Sequence, residues 1–326
     1  MIFKKFDLKI KDKILPFNKT ISVDADKSIS IRSFLIGSIS QNISSVKNVL
    51  ESDYVKSAII CLKKLGVHIK RQDVGSYQIY GKGLGSFVIK KNNELNFGNS
   101  GTLSRLLIGL ISTTPNIEIK VKGDESLNKR NMKKLIKLMS EFGAFFYPKK
   151  RFTFPLKIVS SNMPVGISYK AGVSAQLKSA VILAGLNSYG ETNILEKEKS
   201  RDHTENMLLQ NKKIIQVKNG KKKLIKIYGK KQLKPIRITV PGDPSSAAFF
   251  AALTLLKEKS FLKIKNVGLN QTRTGFYKLL KKHGAHIYFK DIKKYNSEIQ
   301  GDIIIKSSNI KPILSSKEYY VNSTDE

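Results

Sequence analysis

Cysteine is almost absent from this chain. Cys61 is the only one among 326 residues, so no internal disulfide can form and no cysteine-rich metal site exists. The four histidines, His68, His203, His283 and His286, do not make a zinc pattern either. His283 and His286 flank a Gly-Ala pair and are read as structural. Acidic residues are scarce, 25 Asp and Glu against 59 Lys and Arg, which leaves a net charge of +34. Long hydrophobic runs are missing too. The longest, such as AAFFAALTLL at 247–256, reach about half of the ~20 residues a membrane crossing needs. The opening MIFKKFDLKIKDKILPF alternates apolar and charged residues like a strand and lacks the apolar core of a signal peptide. The expectation is a soluble, cytoplasmic protein without a membrane partner. Neither the phosphate-binding GxxxxGK[ST] pattern nor a GxGxxG fingerprint occurs, which disfavours nucleotide-dependent chemistry. Cys61 lies in an apolar helical stretch and is read as a packing residue rather than a nucleophile.

What is present fits a globular chain. Hydrophobic residues make up 40% and aromatics 9%, and the length exceeds one ordinary hydrophobic core, so two domains are expected. The positive charge raises the question of nucleic acid. The basic residues, however, are mostly lysines spread along the whole chain without aromatic interleaving, as on a solvated surface. No nucleic-acid partner is therefore expected, although such a field draws in small anions. The densest basic run, VKNGKKKLIKIYGKKQLKP at 217–235, holds Asn-Gly between strand-like segments and predicts an exposed hairpin.

One pattern recurs: a helical stretch, a glycine, then a short alternating strand. It occurs at 61–73, 137–150 and 278–291, with Gly66, Gly143 and Gly284 at equivalent places. The gap between the last two is close to twice the first gap. A missing copy is filled by ENMLLQNKKIIQVKNG at 205–220, with Asn211-Lys212 in the glycine's place. A left-handed residue commonly ends a helix, and glycine adopts that conformation without strain. The chain thus reads as about four mixed helix–strand units of roughly 70 residues each. Prolines and a glycine in KPIRITVPGD (234–243) interrupt the pattern and mark a boundary. The expected domains are residues 20–238, and residues 1–19 together with 239–326. In the second, the N-terminal strand at 2–10 is expected to pair with the fourth unit.

Several polar, small-residue clusters each lead into an apolar helix. They are Lys27-Ser28-Ile29-Ser30 with Arg32, Gly98-Asn99-Ser100-Gly101-Thr102 with Arg105, and Lys129-Arg130. Ser174-Ala175-Gln176, Ser200-Arg201-Asp202-His203 and Pro244-Ser245-Ser246 repeat the form. Helix N-termini present unpaired N–H groups and the positive end of the helix dipole, and arginine grips phosphate or carboxylate with two parallel bonds. Any one cluster alone reads as ordinary N-capping by Ser, Thr or Asp. Together, most of them with a Lys or Arg attached, they point to a shared site for polyanions. The cluster around Ser245 lacks the basic residue and keeps the capping reading.

In order, these clusters resemble the motifs of the 5-enolpyruvylshikimate-3-phosphate synthase family, from about residue 20 to the end, with NQTRTGFYKLLKKHGA at 270–285 continuing the match. The resemblance implies an α/β (α+β) fold of two domains, each of three βαβαββ-type units, with substrates in the cleft between them. About four of six units are present here. The chain therefore reads as truncated, missing about a hundred C-terminal residues and expected to be inactive as given. The implied reaction moves the enolpyruvyl group of phosphoenolpyruvate to the 5-hydroxyl of shikimate 3-phosphate, without metal or cofactor, in a protein that is monomeric at full length. By resemblance, Lys27 touches phosphoenolpyruvate and moves protons, and Ser28 and Arg32 hold the shikimate portion. Gly101 and Arg130 grip phosphoenolpyruvate, Gln176 lies between the ligands, and Ser174 and Arg201 hold the 3-phosphate. Asp325, in the closing YVNSTDE, orients or deprotonates the attacking hydroxyl. Ala175 stands where some members have serine. Two rival readings exist. One is the UDP-N-acetylglucosamine enolpyruvyl transferase, which carries a Lys-Asn pair and a loop cysteine that this chain lacks. The other is a basic, non-catalytic binder of nucleic acid or other anions.

Overall fold

The computed structural model describes residues 9, 13–89, 94–295, 297–315, 319, 322 and 323. A short strand β1 (Asn18–Ile21) precedes helix α1 (Lys27–Ile39), strand β2 (Ile43–Lys47), helix α2 (Asp53–Lys64) and the hairpin β3 (His68–Asp73) and β4 (Ser76–Tyr80). A second set follows: β5 (Glu94–Asn96), α3 (Gly101–Ser112), β6 (Glu118–Lys122), α4 (Glu125–Asn128), α5 (Lys133–Glu141), β7 (Phe145–Tyr147) and β8 (Leu156–Val159). A third comprises β9 (Ser168–Ala171), α6 (Ala175–Leu186), β10 (Glu191–Glu196), α7 (His203–Leu208), β11 (Ile215–Lys218) and β12 (Lys223–Tyr228). The last runs β13 (Arg237–Thr239), α8 (Pro244–Leu256), β14 (Phe261–Gly268), α9 (Gly275–Lys282), β15 (His286–Tyr295) and β16 (Glu298–Lys306). Among the described residues no helix is long and apolar enough to cross a membrane.

The repeat is visible as four small mixed sheets of one design. Their strand orders are β13-β2-β4-β3, β5-β6-β8-β7, β9-β10-β12-β11 and β1-β14-β16-β15. In each, the first pair is parallel and the rest antiparallel. Gly66, Gly143 and Gly284 end α2, α5 and α9 with φ of 82°, 94° and 100°, the left-handed conformation that a Cβ would strain. The third unit ends differently. There the Asn211 N–H donates to the Leu208 carbonyl at 2.8 Å, and its side chain accepts from the Lys234 N–H at 3.2 Å.

Two sheets borrow their first strand from far along the chain. Residues 237–239, inside the segment read as an interruption, form β13 and pair in parallel with β2, Arg237 opposite Ser45. In exchange β1 completes the last sheet, Asn18 opposite Phe261 and Ile21 opposite Ile264. The strand expected at 2–10 lies outside the described residues apart from Lys9, which is in no strand. The chain thus passes between the sheets twice, and the two passages are tied together. The Asp26 N–H donates to the Pro241 carbonyl at 2.9 Å and the Asp243 N–H to the Asp24 carbonyl at 2.8 Å.

Two hydrophobic cores result. The larger runs from Ala25 to Val240, and the smaller from Ala247 to Ile305 with Phe17, Ile21 and Val23 packed onto it. In the larger, α1, α3 and α6 are buried almost all round, polar side chains such as Arg32, Ser104 and Lys178 included. Gly109 of α3 lets that helix close on α6, since a Cβ there would lie 2.6 Å from the Ala180 carbonyl oxygen. Amphipathic α5 buries only Leu135, Ile136, Leu138 and Met139, each worth about 1.5–3 kcal/mol relative to exposure. In the smaller core, α8 buries Ala247, Ala248, Ala251 and Leu255 but leaves Phe249 and Leu256 79% and 81% exposed. The basic run does form a hairpin: β11 and β12 pair antiparallel around an exposed turn at 219–222.

Candidate active site

The buried helices α1, α3 and α6 bring their first turns to one cavity of about 200 Å³. Ser28 and Arg32 come from α1, Thr102 from α3, and Val173, Ser174, Ala175 and Gln176 from the start of α6. Ser200, Arg201 and His203 close it from the loop entering α7. Five residues to which the resemblance gives a ligand-binding role, Ser28, Arg32, Ser174, Gln176 and Arg201, therefore line one space. Each helix start is capped as its sequence suggests. Asp26 accepts from the Ile29 N–H at 2.8 Å, Ser100 from the Leu103 N–H at 3.2 Å and Ser174 from the Leu177 N–H at 3.4 Å. Ser174 thus caps α6 and lines the cavity at once.

Arg32 is the buried cation of this space, 4% exposed. Its Nε donates to Thr204 Oγ1 at 2.9 Å, Nη1 to the Ser28 carbonyl at 3.1 Å and Nη2 to Ser179 Oγ at 3.3 Å. All three partners are neutral oxygens. Burial pulls its pKa down to about 10, against the raising influence of Asp26, Glu205 and Glu298. Arg201 adds a second positive charge that acts against it. Two cations facing one polar cavity suit an anion.

A second cationic group adjoins this one through Gln176, whose Nε2 donates to Thr102 Oγ1 at 3.1 Å. One residue earlier, Gly101 opens α3, and two arginines converge on it. A Cβ on Gly101 would lie 2.8 Å from Arg105 Nη1 and 2.9 Å from Arg130 Nη1. Arg105 donates to the Gly101 carbonyl at 3.0 Å, and Arg130 to Asn99 Oδ1 at 3.2 Å. Burial, then repulsion from Arg130, holds the Arg105 pKa below its ordinary value. Lys27 does not line the cavity. It is exposed, with Nζ 4.9 Å from the centre of the Tyr54 ring. Asp325 lies outside the described residues.

Comparison with known proteins decides the family. The model of the EPSP synthase (3-phosphoshikimate 1-carboxyvinyltransferase) family matches residues 11–315. The chain belongs to the EPSP synthase family. It is 38% identical over 301 residues to the 3-phosphoshikimate 1-carboxyvinyltransferase of Paramagnetospirillum magneticum, covering 91% of this chain and 67% of that protein. It is 39% identical over 305 residues to that of Bacillus subtilis, covering 93% and 70%. The solved EPSP synthase from Acinetobacter baumannii superposes with a TM-score of 0.85 at 34% identity, over 95% of this chain and 70% of that one. The activity is that of a 3-phosphoshikimate 1-carboxyvinyltransferase, an enzyme of the shikimate pathway.

In this EPSP synthase family member the cavity rests on buried charges that sequence reasoning missed. Lys178 of α6 is fully buried, with Nζ 2.8 Å from Glu196 Oε1 and 2.8 Å from Glu205 Oε1. Glu196 in turn accepts from the Ser200 N–H at 2.9 Å and hydroxyl at 2.6 Å, which fixes the loop carrying Arg201. A lone lysine inside the apolar run of α6 was the available signal. The cluster at Ser245 needed no basic neighbour in sequence. Asp243 caps α8, and Arg273 reaches it at 2.9 Å while also pairing with Asp26 at 3.1 Å. One buried guanidinium thus joins the caps of α1 and α8.

Proposed function

We propose that the cavity holds shikimate 3-phosphate and that the cluster at Gly101 holds phosphoenolpyruvate. Ser174 and Arg201 take the 3-phosphate, and Ser28 and Arg32 the shikimate ring. Arg130 and the Gly101 backbone, with Arg105 beside them, take phosphoenolpyruvate. Gln176 lies between the two. The observation that carries this reading is Arg32, buried at the cavity with hydrogen bonds to neutral oxygens and with Arg201 acting against it, so that an anionic ligand would relieve the repulsion between the two cations.

In the transfer, the 5-hydroxyl oxygen bonds to C2 of phosphoenolpyruvate as a proton is added at C3. The hydroxyl proton passes to a base, the role we assign to Asp325. Loss of phosphate from C2 and of a proton from C3 then restores the double bond as an enol ether. Lys27, at the start of α1, is assigned to both the phosphoenolpyruvate charge and the proton movements. In a chain of the relatives' full length, Lys27→Met removes charge and proton transfer together and should lower turnover ~10²–10⁴-fold. Turnover above about half of the parent's would remove Lys27 from this role.

We further assign the two cores to two domains, with the boundaries expected at 20 and 238 moved by a few residues to about 25–240 for the first and β1 together with 241–326 for the second, in a cytoplasmic protein that is monomeric at full length and has no nucleic-acid partner. The 326-residue chain by itself is proposed to be inactive. It spans 67–70% of the relatives compared above, and α8 exposes Phe249 and Leu256 whereas α1, α3 and α6 of the larger core are covered. Phosphate release from both substrates by the purified 326-residue chain would contradict this.

A further inference from the structure

His203 lines the cavity and is 2% exposed. Its two ring nitrogens differ. Nδ1 lies 2.8 Å from Glu298 Oε1, a carboxylate on β16 of the last sheet, while Nε2 is buried with no hydrogen-bond partner among the described residues. Glu298 is itself held. Its Oε2 accepts from Asn270 Nδ2 at 3.2 Å, and its Oε1 also accepts from Asn206 Nδ2 at 3.3 Å. Asn270 Nδ2 also reaches Asp202 Oδ1 at 2.7 Å, next in sequence to Arg201. A carboxylate fixed in this way sets both the rotation of the imidazole and the proton on Nδ1, as outer partners do for ligating histidines.

A buried polar atom left without a partner is costly unless a ligand supplies one. With Nδ1 taken by Glu298, Nε2 is the ring nitrogen of this cavity-lining residue that is left to a ligand. Arg32 and Arg201 line the same space. With its proton on Nδ1, the imidazole offers Nε2 as an acceptor, and we infer that His203 Nε2 is a substrate-binding group that accepts a hydrogen bond from a hydroxyl of the shikimate 3-phosphate bound in this cavity, with Glu298 as its positioning residue. Glu298 stands on the last sheet and the cavity on the first three, so the same contact joins the bound substrate to the smaller core. The inference rests on the proposed occupancy of the cavity by shikimate 3-phosphate.

The test is calorimetric titration of shikimate 3-phosphate into the 326-residue chain and three variants. His203→Asn keeps an amide for Glu298 but has no atom at Nε2. His203→Gln reaches the Nε2 position, and Arg201→Ala probes the occupancy itself. Loss of a neutral hydrogen bond corresponds to ~2–10-fold weaker binding, the effect expected for His203→Asn at an unchanged thermal midpoint, with part of the affinity recovered in His203→Gln, whose amide oxygen can accept in its place. The second readout is the ¹⁵N spectrum of the four histidines, in which the His203 Nε2 signal should move on saturation with the ligand. That readout uses the unmodified chain and decides the matter if His203→Asn does not fold. An unmoved Nε2 signal, or unchanged affinity in a folded His203→Asn protein, overturns the inference. If Arg201→Ala still weakens binding in that case, the occupancy of the cavity survives. Absence of binding to the parent chain overturns both.

Discussion

Replacing Lys178 by methionine removes a charge but scarcely any volume, so its consequence is electrostatic. Lys178 Nζ lies 2.8 Å from both Glu196 and Glu205, in a place where none of the three side chains is more than 1% exposed. At an effective dielectric of 20 each contact is worth ~6 kcal/mol before desolvation. The remaining cation, Lys223, is 3.3 Å from Glu205 and 3.9 Å from Glu196 and can balance only one of them. Breaking a buried pair in this way costs ~3–5 kcal/mol. For a body of about 200 residues that is a fall of roughly 6–20 °C in thermal midpoint. The pH dependence has a definite sign. Burial pushes the Glu205 carboxyl up, but Lys178 and Lys223 outweigh it and hold the carboxyl below its ordinary value of 4.5. In the parent, therefore, this stabilisation is complete above the unfolded value and is lost as pH falls through the folded one. Without Lys178, the largest opposing charge is gone, burial dominates and the Glu205 carboxyl rises above its unfolded value, so the variant loses stability as pH rises. The deficit between the two proteins should be largest near neutral pH and shrink on acidification. Thermal unfolding followed by circular dichroism from pH 5 to 8 measures it. A midpoint within ~2 °C of the parent at pH 7, or a deficit that grows towards acid, would refute the reasoning. Because Glu196 fixes Ser200, shikimate 3-phosphate should also bind less tightly to the variant.

Gly101→Ala places a methyl group 2.8–2.9 Å from two guanidinium groups that can swing aside, so stability should change little while the site proposed for phosphoenolpyruvate narrows. By the family resemblance glyphosate occupies that pocket, and a chain of the relatives' full length should be inhibited less by it after this substitution; equal inhibition constants would remove the steric account. Cys61 should be unreactive in the folded chain. Burial raises its thiol to about 12, so at pH 8 labelling by a thiol reagent should be ~10³-fold slower than in urea, and comparable rates would show that the helix α2 face is open.

Legibility in the sequence followed the range of the interaction. The caps at Ser100 and Ser174 act within three residues, and the left-handed ends at Gly66, Gly143 and Gly284 within one, so both were written locally. The polar clusters could be found for the same reason, because each is a helix start with its own hydrogen-bonding groups. The segment 234–243 was legible as an interruption but not as a strand, because its local chemistry is ambiguous. Its prolines flank β13, a three-residue strand whose partner lies nearly 200 positions earlier. A strand that short has almost no pattern of its own and exists because β2 offers it an edge.

The sequence by itself determined that a set of apolar helices exists, where they begin, and which small and cationic residues stand at those beginnings. These follow from apolar periodicity, capping and backbone freedom, properties that a dozen neighbouring residues settle. Only the tertiary structure decided that α1, α3 and α6 open onto one cavity, that β1 and β13 are exchanged between sheets, and that Arg273 meets an aspartate 247 residues away. The same holds for the ring of His203 against Glu298 and for the buried Lys178 between its two glutamates. A charge buried far from its partner in sequence leaves no periodicity to read. It is tolerated only because folding brings the partner within hydrogen-bonding distance, and that proximity is a property of the packed chain and of no segment within it.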